Sequence, residues 1–397
     1  MKADIHPDYV ESTVKCAIPS IRASRSWSIP AAVSRSSRSG TASAANSGTT
    51  EPLRGQEPTV PLDPDQRTRL LAAKARALVA DASNADASEM RVTPFPGGAL
   101  VRAATAAWCL LDDGAIRSFG AAMVLADREG IATLHVMAES VETSSIVARR
   151  AEQFRNAPTV WRIEGRSLVP AAPAPVPVPV EPSAAARELI GMLTAAGVDV
   201  TVEHGEIRGE LRGLEIARVV ESTEGTRLEV GVGRHDREAF TMVHGNLPTA
   251  KALESVISSV DAVRRADAEA HPLRRLAPEG WLRWRLLQDP HLVGAQELWS
   301  VEPPTPRDSV KDVGASVAVG RDLSGQPIVV VCSVGIDLDV VPTAADARVL
   351  NDPDARVVIV VPERDDHPAT RRLAERLIGP AEVIGLSGEW RDRETAS

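Results

Sequence analysis

Lysine is scarce in this chain: only five of the 45 basic residues among 397 are Lys, at positions 2, 15, 74, 251 and 311. Arginine and alanine are abundant instead, a bias that suggests a GC-rich bacterial genome. Cysteine is nearly absent too. Cys16, Cys109 and Cys332 lie far apart and never form a Cys-x-x-Cys pair, so neither a disulfide framework nor a zinc ribbon follows. Long apolar runs are missing. The most apolar stretch, IVVVCSVGI at 328–336, falls well below the roughly 18 residues needed to span a bilayer, and no apolar signal-peptide core follows the start. A cytoplasmic location is the expectation. The formal charge is −9 and basic clusters are short. That argues against a broad electrostatic grip on nucleic acid or an anionic membrane and leaves room only for a local Arg-lined groove.

What is present is ordinary for a soluble globular protein: 43% hydrophobic and 25% charged residues, with length enough for two or three domains. Residues 1–62 are expected to be a disordered leader. From about residue 17 they run through text such as SRSWSIPAAVSRSSRSG, with no period of 2 or 3.6 and too little apolar surface to offset the entropy of ordering. A second break falls at 170–183, PAAPAPVPVPVEPS, where alternating proline enforces an extended, semi-rigid linker. The boundaries expected from these breaks are an α+β unit at 63–169, the linker, an α/β unit at 184–270, a further α/β unit at 271–388 and a tail at 389–397.

In the first unit LDPDQRTRLLAAKARALVA offers Asp63 or Asp65 as N-cap and an apolar stripe of Leu70, Leu71, Ala75, Leu78 and Val79, the signature of a helix. ALVRAATAAWCLL, FGAAMVLA and IATLHVMAE read as strands, the last two joined by a hairpin around Asp127–Gly130. A helix at 143–154 and a strand at 159–165 complete the unit. His135 reads as a core or edge histidine. The second unit shows a helix ending at Gly197, four strands around 198–203, 206–212, 214–221 and RLEVGVG, and a helix at about 248–269. The third shows a helix EGWLRWRLLQDP, strands VGASVAVG and PIVVVCSV about the turn DLSGQ, helical residues near 343–350, the strand ARVVIVVPE, the helix PATRRLAERL and the strand AEVIGL. The fold class is α/β, mixed sheets with flanking helices.

Two resemblances sit on these residues. The opening MKADIHPDYVESTVKC is similar to the start of the zinc-ribbon protein of the bacterial large ribosomal subunit, up to Cys16, where that family's zinc ligands would begin and this chain has none. The resemblance implies ribosome association. The abrupt change after Cys16 gives another expectation, that 1–62 are a fused or mis-translated leader. Residues 278–386 resemble the nuclease domain of NucS-type mismatch endonucleases, within the restriction-endonuclease-like superfamily. Glu279 stands at the helix start, DPHLVGAQEL at its end, DLSGQP forms the turn and ARVVIVVPE the later strand. In that family two acids on adjacent strands hold a divalent metal, and a lysine two residues past the second acid shares its face. Aligned on Gly325, these positions fall on Val317, Val331 and Ser333. Aliphatic side chains offer no hard-oxygen ligand, so the unit reads as degenerate.

The same ruler laid on the second unit meets acids. GLEIARVVESTEGTRLEVGVG carries Glu215 and Glu229 at the separation of Val317 and Val331. Glu215 and Glu229 are therefore the candidate catalytic pair, and with Asp236 the candidate metal ligands, for Mg or Mn. His235 and Glu238 stand nearby. Gly231 replaces the family lysine, the nearest lysine in sequence is Lys251 on the following helix, and Arg234 supplies charge but is a poor proton donor. The competing reading makes these glutamates, with Glu206, Glu210 and Glu221, the solvated face of an antiparallel sheet. Other motifs are weaker. GVGRHD lacks the third glycine of a dinucleotide fingerprint. Cys332 and Ser333 lie in a buried strand without a nucleophile elbow. Asp337 and Asp339 suit a cation, but a loop after a strand explains them. Trp281, Trp284 and Trp299 with Arg283 and Arg285 could stack on bases, but Trp281 and Trp284 at i, i+3 on a helix more often mark a core seam. The sequence therefore favours a non-catalytic protein of degenerate nuclease-like units acting by binding or assembly, without a cofactor. The alternative is a divalent-metal-dependent phosphodiesterase using Glu215 and Glu229, for which nucleic acid would be the partner. No membrane partner is expected.

Overall fold

The computed structural model describes residues 63–391 except 84, 113, 224, 235, 239–247, 266, 307–313 and 389. The leader, its Cys16 and the ribosomal resemblance lie outside the described residues, as does His235.

The chain builds an α/β structure on three sheets, as its alternation of helical and strand periods requires. The first is six-stranded, in chain order β1 (Arg91–Phe95), β2 (Gly98–Ala103), β3 (Ala106–Leu111), β4 (Thr133–Ala138), β5 (Thr159–Glu164) and β6 (Ser167–Pro170). Strands β1 to β3 form an antiparallel meander, β3 to β5 run parallel, and β6 returns antiparallel. Helix α1 (Pro64–Ser83) precedes the sheet, and α2 (Phe119–Arg128) and α3 (Val141–Ala151) make the parallel crossovers. The expected hairpin at Asp127–Gly130 is therefore absent. FGAAMVLA forms α2, because Phe119, Ala122, Met123 and Ala126 recur at helical spacing and bury one stripe. The expected single strand 99–111 is broken by a turn in which Ala104 takes a φ of 51°.

The second sheet is the expected antiparallel meander, β7 (Asp199–Glu203), β8 (Glu206–Leu211), β9 (Leu214–Ser222) and β10 (Gly225–Val230). Its helical residues 184–195 split at Leu189 into α4 (Ala184–Glu188) and α5 (Ile190–Ala195), and α6 (Thr249–Val263) follows. One face of this sheet, with Ile207, Leu214, Ile216, Leu228 and Val230, packs on Leu193 of α5 and on Leu253, Val256 and Val260 of α6.

The third sheet, β11 (Ala295–Val301), β12 (Ser316–Asp322), β13 (Pro327–Cys332), β14 (Arg356–Pro362) and β15 (Glu382–Leu386), repeats the plan of the first. A helix α7 (Pro278–Gln288) is followed by a meander, a helix α8 (Val340–Asn351), a parallel strand, a helix α9 (Pro368–Glu375) and a last parallel strand. The registers coincide as well. His135 pairs with Thr159 in one sheet and Val358 with Glu382 in the other, at one constant displacement along the chain.

These two units are not independent. Leu100, Ala107, Cys109 and Val136 of the first sheet and Val317, Val329, Val331 and Ile359 of the third belong to one apolar cluster. Helices α2, α3, α8 and α9 fill it with Phe119, Met123, Val147, Val341, Ala344 and Leu373. Each Val, Leu, Ile, Phe or Met among them, withdrawn from water, contributes about 1.5–3 kcal/mol. At the centre the backbone itself crosses between the units. Phe154 and Leu377, five residues ahead of Thr159 and Glu382, form an antiparallel bridge. Arg155 N–H donates to the Arg376 carbonyl at 3.0 Å, and Ile378 N–H to the Gln153 carbonyl at 2.9 Å. Equivalent residues meeting antiparallel is the mark of a local twofold relation between the two units.

The linker is exposed for most of its length and held at a few points. Ala174 N–H donates to the Ser145 carbonyl at 2.8 Å and Arg149 Nη1 to the Pro175 carbonyl at 2.8 Å, while Val180 covers Gly205. The same Arg149 forks onto Asp346 at 2.7 and 2.8 Å, and Arg150 reaches Asp346 at 3.2 Å and Asp339 at 3.0 Å. All four side chains are buried between the two units. Burial pushes the Asp339 carboxyl up to about 6 from an ordinary 3.8, although Arg150 opposes the shift. A carboxyl with a raised folded-state pKa is more protonated in the fold than in the unfolded chain between those values. The parent is therefore expected to gain stability relative to an Asp339→Asn variant as the pH falls from about 6 towards 4, measured by denaturant melts across that range. A gap that does not change with pH would contradict the assignment.

Candidate functional site

The second sheet's other face is where the candidate acids lie, and strand alternation puts them there. On β8 Ile207 and Gly209 point to the apolar core, so Glu206, Arg208 and Glu210 point away from it. The solvated face that the alternating glutamates suggested holds in part: Glu221 is exposed and Glu206 and Glu229 are partly so, whereas Glu210 and Glu215 are buried. Helix α7 lies over this face, and Glu203, Arg208, Glu210 and Glu215 are each buried to within 7% of full exclusion. The approach of α7 is tight. A Cβ at Gly213 would stand 2.0 Å from the Gly280 carbonyl oxygen and one at Gly280 2.2 Å from the Gly213 carbonyl oxygen, so both segments need glycine there.

The ladder does not set Glu215 opposite Glu229. A bulge between Gly209 and Glu210 shifts the register, pairing Glu215 with Glu210 across β8 and β9, whereas Glu229 pairs with Arg218. The two candidate acids nevertheless converge on one group, the guanidinium of Arg237. Its Nη1 donates to Glu215 Oε1 at 2.6 Å, and its Nε stands 3.8 Å from Glu229 Oε2. Glu215 also receives a fork from Arg218 at 3.0 and 2.8 Å and has Arg208 Nε at 3.7 Å. Three cations thus surround the first candidate ligand, and the place between the two carboxylates holds an arginine. Asp236, the third candidate, turns the other way and accepts from Val232 N–H at 2.7 Å. Among the described residues no group of three or more His, Cys, Asp or Glu side chains is arranged to hold a metal ion.

The charges form an alternating lattice. Arg208 bonds Glu203 at 2.5 Å and Glu206 at 2.9 Å, and Arg218 Nη1 stands 3.0 Å from Glu206. Arg283 of α7 bonds Glu210 through Nη2 at 2.9 and 2.7 Å and stands 3.6 Å from Glu203. Burial pulls the Arg283 guanidinium down, but Glu210 and Glu203 more than reverse this and hold it above its ordinary value. At the edge Asp199 is raised, first by burial and then by neighbouring Glu210. The arginines are what the search for carboxylates passed over. The signal was the i, i+2 alternation Glu206, Arg208, Glu210, which puts both signs on one strand face.

The remaining candidates find other partners. Val317 and Val331 pair directly across β12 and β13, and both are fully buried in the shared core. Their counterparts Leu100 and Cys109 pair likewise in the first sheet. Ser333 is buried, and burial pushes the Cys332 thiol up to about 12. Asp337 is bonded by Arg117 at 2.7 Å and Asp339 by Arg150, so neither offers a cation site. Glu238 is paired with Arg234 at 2.9 Å, and Lys251 is exposed on α6. His135 stacks on Trp108 at 4.0 Å and accepts from Trp161 Nε1 at 3.2 Å through Nδ1. Trp281 is buried beneath the Arg264 guanidinium at 4.5 Å, which makes it a core seam. Arg264 spends its donors on the carbonyls of Arg212, Leu273, Leu276 and Ala277, and burial holds it down at about 9.

No helix among the described residues is long and apolar enough to cross a membrane. No family model matches the chain, and no curated protein or solved structure is similar to it at a significant level.

Removing Arg237 takes one of three guanidiniums from the buried carboxylate of Glu215, with Arg218 and Arg208 still in place, whereas removing Glu229 takes away one partly exposed partner. Arg237→Ala is expected to cost about 1–3 kcal/mol of folding stability and Glu229→Gln less than about 1 kcal/mol, by urea melts. Equal effects would show that Arg237 is not the hub of the lattice.

Proposed function

We propose that this protein acts by binding or assembly and does not cleave phosphodiester bonds. The observation that carries the reading is the guanidinium of Arg237 lying between Glu215 and Glu229. A divalent metal needs several anionic or carbonyl oxygens with free lone pairs directed at one point. Here the oxygens of Glu215 are committed to Arg218 and Arg237, and admitting a cation beside those arginines would add like charge in a buried place. The equivalent hairpin positions in the other two units carry Val317 with Val331 and Leu100 with Cys109, which supply no ligand. The likeness of 278–386 to NucS-type nuclease domains then concerns plan alone, a helix, a meander and two parallel strands with their helices, and the units serve as scaffold. A protein so built offers surfaces.

The test is a cleavage assay on single- and double-stranded DNA with Mg²⁺ or Mn²⁺, parent beside Glu229→Ala. No metal-dependent cleavage by the parent is the expected result. Cleavage that disappears in Glu229→Ala would overturn the proposal and install the metal-dependent phosphodiesterase in its place.

A further inference from the structure

The third sheet carries a cavity that the lattice and the shared core leave unused. It opens to solvent with a volume of about 520 Å³ at the amino ends of the parallel strands, walled by Pro327, Pro353, Pro380 and Ala355. Its floor is Arg348, on the last turn of α8. That side chain is only 7% exposed. Nη1 donates to the Gly379 carbonyl at 2.8 Å, and among the described residues no carboxylate forms an ion pair with it. Burial alone sets its pKa, downward, with no acid to reverse the shift. Arg149, Arg150, Arg237 and Arg283 each have a carboxylate, and Arg264 fills its donors with four carbonyls, whereas Arg348 faces an open cavity with the one bond to Gly379. A buried cation without a counter-ion costs stability, and the loss is recovered when an anion arrives.

The neighbours decide which anion fits. Arg356, also on the wall, is already matched. Its Nη1 donates to Glu382 at 2.9 Å and its Nη2 to the Val293 carbonyl at 3.0 Å, and its Nε stands 4.0 Å from Asp322. Asp322 turns its Oδ1 into its own loop, accepting from Ser324 and Gln326 N–H at 2.9 Å, and Asp354 is exposed at the rim. One unmatched positive charge inside an acidic rim accepts a single negative charge and repels a second. The guanidinium fork suits the planar carboxylate, and the prolines suit an apolar or aromatic body behind it. We propose that this cavity binds a monocarboxylate, its carboxylate on Arg348 and its apolar part against the prolines. Gly379 belongs to the site, since a Cβ there would stand 2.2 Å from Nη1 and displace the guanidinium.

The site gives the proposed binding role a ligand, yet it stands apart from that reading: metal-dependent cleavage would overturn the one and leave the other intact. The experiment is an amide-shift titration of the full chain with benzoate, with phosphate at matched ionic strength as the dianion control. An acetylated dipeptide ending in phenylalanine, as free acid and as amide, separates a free small acid from a peptide carboxyl terminus. Benzoate or the free-acid peptide is expected to bind saturably with shifts centred on Gln326, Ala355 and Gly379. Phosphate and the amide are expected to bind more weakly. Arg348→Leu should weaken binding by about tenfold or more without lowering the melting temperature, because it removes a charge that the empty fold leaves uncompensated. Gly379→Ala should weaken it as well. Whichever carboxylate binds tighter names the source. No saturable shift in the parent with either would overturn the proposal whatever the variants do, as would binding that Arg348→Leu leaves unchanged.

Discussion

The two mixed sheets of this chain have a single apolar interior between them, and most of what can be said of its chemistry follows from that. A sheet of a helix, a meander and two crossovers has two faces to cover. In both units the outer face has its own leading helix, α1 over Ala99, Val101 and Leu110, and α7 over Ala318, Ile328 and Val330. The inner face has only the crossover helices, and these are shared. The bridge between Phe154 and Leu377 fixes how the units meet. It brings the paired hairpin positions Leu100 with Cys109 and Val317 with Val331 into a dry core, where an ionised carboxylate costs several kcal/mol unless paired. Leucine, cysteine and valine at those positions are therefore required by packing.

The second unit meets the opposite constraint. Its sheet has one apolar face, and the other is pressed against α7, which already spends its apolar side on the third sheet. A helix buried on both sides must match what each neighbour presents. Arg283 does so towards Glu210 and Glu203, while Trp281 and Leu282 face the third sheet's core. Two layers of fixed charge then hold the second unit in one register, because every carboxylate displaced by a residue would lose its guanidinium. Such a lattice adds specificity of docking more than net stability.

Much of this was legible in the residues. Alternating runs gave β7 to β10, short β-branched apolar runs between turn residues gave β12 to β15, and the proline run gave the linker, since these signals are local. FGAAMVLA misled because a short apolar run does not declare its period; the crossover that α2 makes is dictated by β3 and β4 running parallel, which no local signal carries. β11 was missed for a like reason, its edge position leaving AQELWSV half-polar. For the candidate site, Glu215 and Glu229 were found by spacing. Their common partner Arg237 was not, since the chain turns at Gly231, whose backbone lies against that of Arg237, and so brings it back. Spacing reads positions along a strand, and it is blind to which sign of charge a neighbouring segment delivers.

The central claim is that the first and third sheets form one cooperative structure through the shared core. Amide hydrogen exchange in β4 and β14, followed peptide by peptide at rising denaturant, tests it most directly, because both strands lie in the interior of their sheets. The account predicts that the slowest amides of both strands merge into the same global opening, with one free energy and one denaturant dependence. Two separate openings, with β14 still protected where β4 exchanges freely, would contradict it.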